Sequence, residues 1–267
     1  MESVLASRLA RPAELVVIDD ASPEPALSAW LRDSAPGRFR LIAHAENRGF
    51  VASANEGMTL HPARDVVLLN SDTEVAPGWL DRLAAPARRD AAVGTVTPFS
   101  NNATICSYPK TLEPNELPPG ETTASLDAAF ARANAGLAVE IPTAVGFCMY
   151  ITRACIERVG IFDLARYGAG YGEEVDYCMR VVRAGLKNVI AADVFVRHVG
   201  EVSFGGSGVA RRAQAQAVID GLYPEFQERL RHFIPLDPLR PLRERVDRER
   251  QRPIRRLARW LVSFGHR

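Results

Sequence analysis

At 267 residues, with 47% hydrophobic and 24% charged side chains, the chain has the composition of an ordinary soluble globular protein, enough for one large domain with an appendage. No apolar run reaches the roughly 18 residues a spanning helix needs, and the start MESVLASRLARPAELVVIDD does not read as a secretory signal, so a protein that is not integral to a membrane and a cytoplasmic location are expected. The net charge of +1 is a property of the tail, because ten arginines and three acids fall between residues 240 and 267.

Residues 15–18 form a short apolar, β-branched run that stops at Asp19 and Asp20, the pattern of a buried strand with acids at its carboxyl end. A helical stretch near 26–31 follows, then a strand at 40–43, a loop, and a helix through 51–60. A third strand, 66–69, ends at Asn70. Strands alternating with helices predict an α/β domain with a mainly parallel central sheet, whose ligands collect at the carboxyl ends of strands. Residues 101–140 hold four prolines in NNATICSYPKTLEPNELPPGE and predict a long loop before a helix at 125–134. IPTAVGFCMYITRACIERVG predicts a strand at 145–151 and a helix capped by Thr152 and stopped at Gly160. In GYGEEVDYCMRVVRAG a further helix opens on Glu173, Glu174 and Asp176, with Val175, Cys178, Met179 and Val182 as its apolar face and Gly185 as its end. Cys106, Cys148, Cys155 and Cys178 show no CxxC spacing and are expected to be buried thiols.

Individually, the polar groups at the strand ends have two readings each. Asp19 and Asp20 suit the ribose hydroxyls or a base, but taken alone they suit Asx-turns better. Asn47, Arg48 and Gly49 lie where a helix N-terminus and a guanidinium face a diphosphate, or where a helix is simply capped. Asn70-Ser71-Asp72 offers one carboxylate, a metal position only if substrate phosphates complete it.

Taken in order, VVIDDASPE, NRGFVASANEGM, VVLLNSDTEVAPGWL, VTPFSNNATICSYP, VGFCMYITRACIERVGIFD, GEEVDYCMRVVRAG and VRHVGEVSFG resemble family 2 glycosyltransferases, in the branch that builds bacterial O-antigen and related surface polysaccharides; they cover roughly residues 2–206. The resemblance implies a GT-A fold, a Rossmann-like nucleotide-diphospho-sugar transferase, and an inverting transfer to a glycan or lipid-linked acceptor. It implies that Asp19, Asp20, Asn47, Arg48, Gly49, Asn70 and Ser71 hold the nucleotide sugar. Asp72, with His198, would hold a divalent cation, Mn2+ or Mg2+. Glu174 would be the catalytic base, and Glu173 and Gly146 acceptor-side or positioning groups. Asn70 stands where relatives carry an acid, and Glu174 where they carry Asp.

Relatives also open with an apolar strand that is not found before the segment ESVLAS, so an N-terminally truncated GT-A domain is expected, over residues 1–234. Residues 235–267 form an Arg-rich helical tail in which Ile254, Leu257, Ala258, Leu261 and Phe264 share a face with Trp260 nearby, suited to peripheral contact with an anionic membrane. No nucleic-acid-binding motif accompanies the arginines. The alternative to an active transferase is a truncated, catalytically impaired nucleotide-sugar-binding or assembly module.

Overall fold

The structure is a computed structural model that describes residues 1–7, 9–168, 170–200 and 208–264, with the side chains of 208–212 and 253–264 outside the described set. Its elements are α1 (Glu2–Ala6), β1 (Val16–Asp19), α2 (Pro25–Ser34), β2 (Arg40–Ala43), α3 (Phe50–Thr59), β3 (Val66–Leu69), β4 (Thr73–Glu74), α4 (Trp79–Arg89) and β5 (Val93–Phe99). After a short 3-10 turn come α5 (Thr123–Ala133), β6 (Ala138–Glu140), β7 (Cys148–Ile151), α6 (Arg153–Val159), α7 (Leu164–Tyr167) and α8 (Glu173–Arg183). The chain continues through β8 (Lys187–Phe195), β9 (Arg197–His198), α9 (Gly208–Leu222), α10 (Pro224–Leu236) and α11 (Arg240–Phe264).

Five strands form the main sheet in the order β3-β7-β5-β8-β6. Only β5 and β8 pair in parallel; β3–β7, β7–β5 and β8–β6 are antiparallel. The sheet is therefore mixed rather than mainly parallel. The reason is topological: α4 carries the chain from β3 to the parallel β5, and β7, arriving after the long excursion through α5, inserts between them in the opposite direction. Apolar clusters cover both faces. Leu83, Leu126, Phe130 and Val246 lie on one side, and Val51, Met58, Tyr177 and Met179 on the other.

β1 and β2 pair in parallel, Val16 opposite Arg40 through Asp19 opposite Ala43, as a separate two-stranded sheet. Among the described residues no ladder joins β1 to β3. α3 spans the two instead: Val51, Ala54 and Met58 pack with Val66 and Leu68 of β3. On its β1 side a Cβ added at Gly57 would stand 3.7 Å from Ile18 Cδ1.

The predicted strand at 145–151 is shorter, starting at Cys148. Residues 146–147 form a turn into the strand, closed by Cys148 N donating to Val145 O at 3.4 Å, while Phe147 O accepts from Asn70 N at 2.9 Å beside the β3–β7 pairing. Thr152 caps α6 as expected, its hydroxyl accepting from Cys155 N. All four cysteines are buried and unpaired.

The boundary expected at 234/235 falls within α10, and Leu239, Leu242 and Val246 beyond it are fully part of the core. Polar bonds add to this docking, with Tyr108 donating to Asp247 at 2.6 Å and Arg250 to Glu121 at 2.8 Å. The amphipathic side chains at 254–264 lie outside the described residues. Among the described residues no helix is long and apolar enough to cross a membrane.

Candidate active site

Both acids at the end of β1 are turned into the protein's own loops. Asp19 accepts from Ser22 N at 3.0 Å and from the Ser28 hydroxyl at 2.6 Å, bonds that hold its carboxyl below the usual range. Asp20 accepts from Arg48 N (2.9 Å), Gly49 N (2.8 Å) and His44 Nδ1 (2.7 Å). Burial opposes its ionisation, but these donors together keep its carboxyl low. Asn47 Nδ2 donates to the Asp20 backbone carbonyl at 3.0 Å. Asp20 thus gathers the predicted Asn47–Arg48–Gly49 loop at the start of α3. His44 and Glu56, which complete this network, carry no signal in sequence beyond being a polar residue after a strand and one on a helix.

Gly49 has φ +87, and a Cβ there would stand 2.7 Å from the Gly168 carbonyl oxygen. This loop therefore abuts the segment that leads into α8. Gly49→Ala is expected to cost about 1–3 kcal/mol through strain and displaced backbone, seen as a lower melting temperature with a raised donor KM.

After β3, Asn70 is tied to Phe147 through its backbone amide, and Ser71 is exposed in the turn. Asp72 Oδ2 accepts from Gly200 N at 2.9 Å and lies 3.3 Å from His198 Nε2. His198 Nδ1 is 2.8 Å from the Asn102 carbonyl, which can only accept, so Nδ1 carries the proton. Its amide donates to Asn101 Oδ1 at 2.8 Å, and its ring stacks on Phe147 at 4.9 Å. The hydrogen bond with His198 holds Asp72 low; burial works against a charged His198, but Asp72 and the Asn102 carbonyl raise it overall. The remainder of its motif, residues 201–205, lies outside the described residues.

Gly170, Tyr171 and Gly172 all have positive φ (91°, 71° and 87°), a tight entry that places α8's first turn of acids at the helix's positive end. Glu173 is buried, with Oε2 unpaired, and its carboxyl is raised by burial and by the neighbouring Glu174. Glu174, half-buried, is raised by burial. Such a pair carries one negative charge far more readily than two. Gly146 faces it: a Cβ there would be 3.6 Å from Glu174 Cβ and 4.0 Å from its carboxyl carbon. Because Phe147, the next residue, stacks on His198, the two-residue segment 146–147 joins the α8 acids to the Asp72–His198 pair.

Asp176 has a different role. It accepts from Arg180 Nε at 2.8 Å and from Tyr223 OH at 2.7 Å, while Arg180 also donates to the carbonyls of Val159 and Ile161. The buried face of α8 is Tyr177, Cys178, Met179 and Val181; the predicted Val175 and Val182 are only half-buried. Asp176→Asn is expected to lower stability by about 2 kcal/mol by weakening charge-assisted bonds, measured by denaturant titration, with kcat changed far less than by substitution at Glu174.

Asp72 supplies one hard carboxylate oxygen, and His198, with Nδ1 fixed as a donor to Asn102, supplies Nε2 as a ligand once it gives up the proton it shares with Asp72, a donor set that fits Mn2+. Among the described residues no cluster of three or more His, Cys, Asp or Glu side chains is found.

The comparisons agree with this architecture. Succinoglycan biosynthesis protein ExoU of Rhizobium meliloti (strain 1021) is 37% identical over 82 residues, 30% of this chain and 24% of that protein. GalNAc-T7, solved with UDP, GalNAc and Mn2+, superposes with a TM-score of 0.58 at 17% identity over 88% of this chain and 48% of its own. Mannosyltransferase PcManGT from Pyrobaculum calidifontis, in complex with GDP-Man and Mn2+, gives 0.52 at 22% identity over 87% of this chain and 64% of its own. The chain thus spans between a quarter and about two thirds of the length of these relatives. The structural likenesses show a GT-A fold. A family model described as Glycosyl transferase family 2 matches residues 1–160, more than half of the chain, which therefore belongs to glycosyl transferase family 2.

Proposed function

We propose that the chain transfers a sugar, with inversion, from a nucleotide-diphosphate donor to a glycan or lipid-linked acceptor in cell-surface polysaccharide synthesis. The observation that carries this reading is the convergence of Glu174 and the Asp72–His198 pair on segment 146–147, where β3 ends and β7 begins. Surface-polysaccharide synthesis is supported by the likeness to the succinoglycan protein, and a nucleotide-sugar donor by the UDP and GDP-Man of the solved relatives.

In this mechanism Glu174, ionised, takes the proton of the acceptor hydroxyl as that oxygen attacks the anomeric carbon, and the bond to the diphosphate oxygen breaks on the opposite face. Glu173, the more buried of the two, keeps a proton and positions its neighbour. Arg48, Asn47 and the α3 N-terminus face the diphosphate, and Asp19 and Asp20 hold the loops around the nucleoside. Asp72 and His198 would hold the divalent cation, which when bound offsets charge on the departing diphosphate. Location at the cytoplasmic face of a membrane, through the arginines of α11, rests on sequence and on the lipid-linked acceptor expected there.

A specific observation favours a second reading. The separation of β1–β2 from the main sheet suits a module that binds nucleotide sugars but turns them over poorly. Incubation with UDP- and GDP-sugars, with and without Mn2+, separates the two: metal-dependent release of nucleoside diphosphate supports the transferase, and donor binding without release supports the second.

A further inference from the structure

Three charged groups that have no assigned role as a set meet beside the donor loop. His44 follows β2, and its amide donates to the Asp19 carbonyl at 2.9 Å, so the ring is carried by the two-stranded sheet. Its side chain is 7% exposed, whereas that of Arg48 is 50% exposed. Nδ1 lies 2.7 Å from Asp20 Oδ1, an acceptor only, and so carries a hydrogen in either charge state. Nε2 lies 2.9 Å from Glu56 Oε2 and 3.2 Å from the Arg48 NH1 nitrogen, which is itself 3.0 Å from Glu56 Oε2.

These three atoms form a closed triangle that cannot be satisfied on every edge. With Nε2 bare, the guanidinium donates to both Nε2 and Glu56 and is held against α3. With Nε2 protonated, His44 donates to Glu56, and the Nε2–NH1 edge brings two donors and two positive charges together. The ring is enclosed, so relief comes from the half-exposed arginine moving away.

We propose that His44 and Glu56 are positioning residues that retain Arg48 beside α3 or release it toward the donor diphosphate, so that donor affinity follows the protonation of a ring that touches no substrate. This rests on the transferase reading above. The groups facing the ring are Asp20 from β1's end, Glu56 from α3 and Arg48 from the loop. The hydrogen bond with Asp20 raises His44 above 6.5, with burial opposing, Glu56 adding and Arg48 subtracting. The sign follows: the imidazolium persists past the ordinary histidine range, and its stabilisation of the loop is complete below 6.5 and lost as pH rises through the raised value. Arg48 is released in the lower part of that range and retained in the upper, so donor KM rises with pH. The kcat limb set by the α8 acids runs the other way, since their base works only when ionised.

The test is donor KM and kcat between about pH 6 and pH 9 with UDP- and GDP-sugars, for the full chain and for His44→Gln and Arg48→Ala, each checked by melting temperature. Wild-type KM is expected to rise roughly five- to tenfold across the window. In His44→Gln it should be flat, in Arg48→Ala high and flat, with the pH dependence of kcat kept in both. A His44→Gln or Arg48→Ala profile that keeps the wild-type slope in KM overturns the proposal. Nitrogen-15 spectra of the His44 ring give a readout independent of turnover: Glu56→Gln should lower the pH of its titration and Arg48→Ala raise it, and no movement in either overturns the triangle. Failure of the wild-type chain to turn over any nucleotide sugar, by contrast, removes the transferase reading and is seen before any variant is made.

Discussion

Glu174→Gln is expected to lower kcat for donor turnover by about 100- to 10,000-fold, the range for losing a general base, with donor KM little changed. The amide keeps the volume of the carboxyl against Gly146 and removes only its ability to take a proton. The pH profile sharpens this expectation. Burial raises the Glu174 carboxyl above 4.5, so the ionised base accumulates only as pH climbs past the ordinary carboxylate range, and kcat should show its acid limb there. The residual activity of the Gln variant should lack that limb. Stability runs in the opposite direction. An acid whose folded-state pKa is raised is most favourable when protonated, and its contribution is lost as pH rises through the raised value. Glu174→Gln should therefore match or exceed the wild-type melting temperature in mildly alkaline buffer, a combination that separates a working base from a structural carboxylate.

Asp72→Asn is expected to cost at least about 100-fold in metal-supported turnover, judged from the 10- to 100-fold that even outer-shell changes around a metal cost. The asparagine oxygen can still accept from Gly200 N, so the turn and the His198 ring remain in place while the anionic ligand is gone. Titration of Mn2+ in the presence of UDP or GDP measures the effect directly. Wild-type chain should bind the ion together with the nucleotide, and Asp72→Asn should need far more of it. Equal affinity in the two chains would remove Asp72 from the metal site.

Much of the candidate site was legible because its polar residues sit where strand patterns end. Apolar runs stopping at Asp19 and at Asn70, and a helix opening on Glu173 and Glu174, place those residues at element boundaries without any tertiary information. What sequence could not show was which neighbours they would meet. Asp20 and His44 are 24 residues apart, and Asp72 and Gly200 128 apart, so their bonds exist only through the fold. The central strand β5 was hidden for a local reason. Its sequence VGTVTPF sets a glycine and a proline, both breakers of a strand pattern, and two polar threonines among its valines, yet every residue is buried. The threonines are satisfied internally, Thr95 donating to Asn188 Oδ1 at 2.7 Å and Thr97 to the Cys148 carbonyl at 2.9 Å. Gly94 is required because a Cβ there would stand 2.9 Å from Val181 of α8. The strand's neighbours, not its own pattern, make it a strand. The mixed sheet escaped for a related reason, since β–α alternation predicts parallel pairing only when the strand that comes next in space also comes next through a crossover, and β7 does not.

The same reasoning separates the three carboxylates of α8. Their spacing marks a helix start equally well for all three, but Asp176 is bonded to Arg180 and Tyr223, Glu173 is buried with an unpaired oxygen, and Glu174 faces Gly146. Environment, not position in the motif, separates the roles proposed for them.

The most direct measurement is the configuration of the sugar first released from an α-linked nucleotide sugar in the presence of Mn2+, followed by proton NMR before the anomers equilibrate. A single displacement assisted by Glu174 predicts the β anomer as first product, at a rate that falls with Glu174→Gln. Release of the α anomer, or an unchanged rate in the Gln variant, would contradict it.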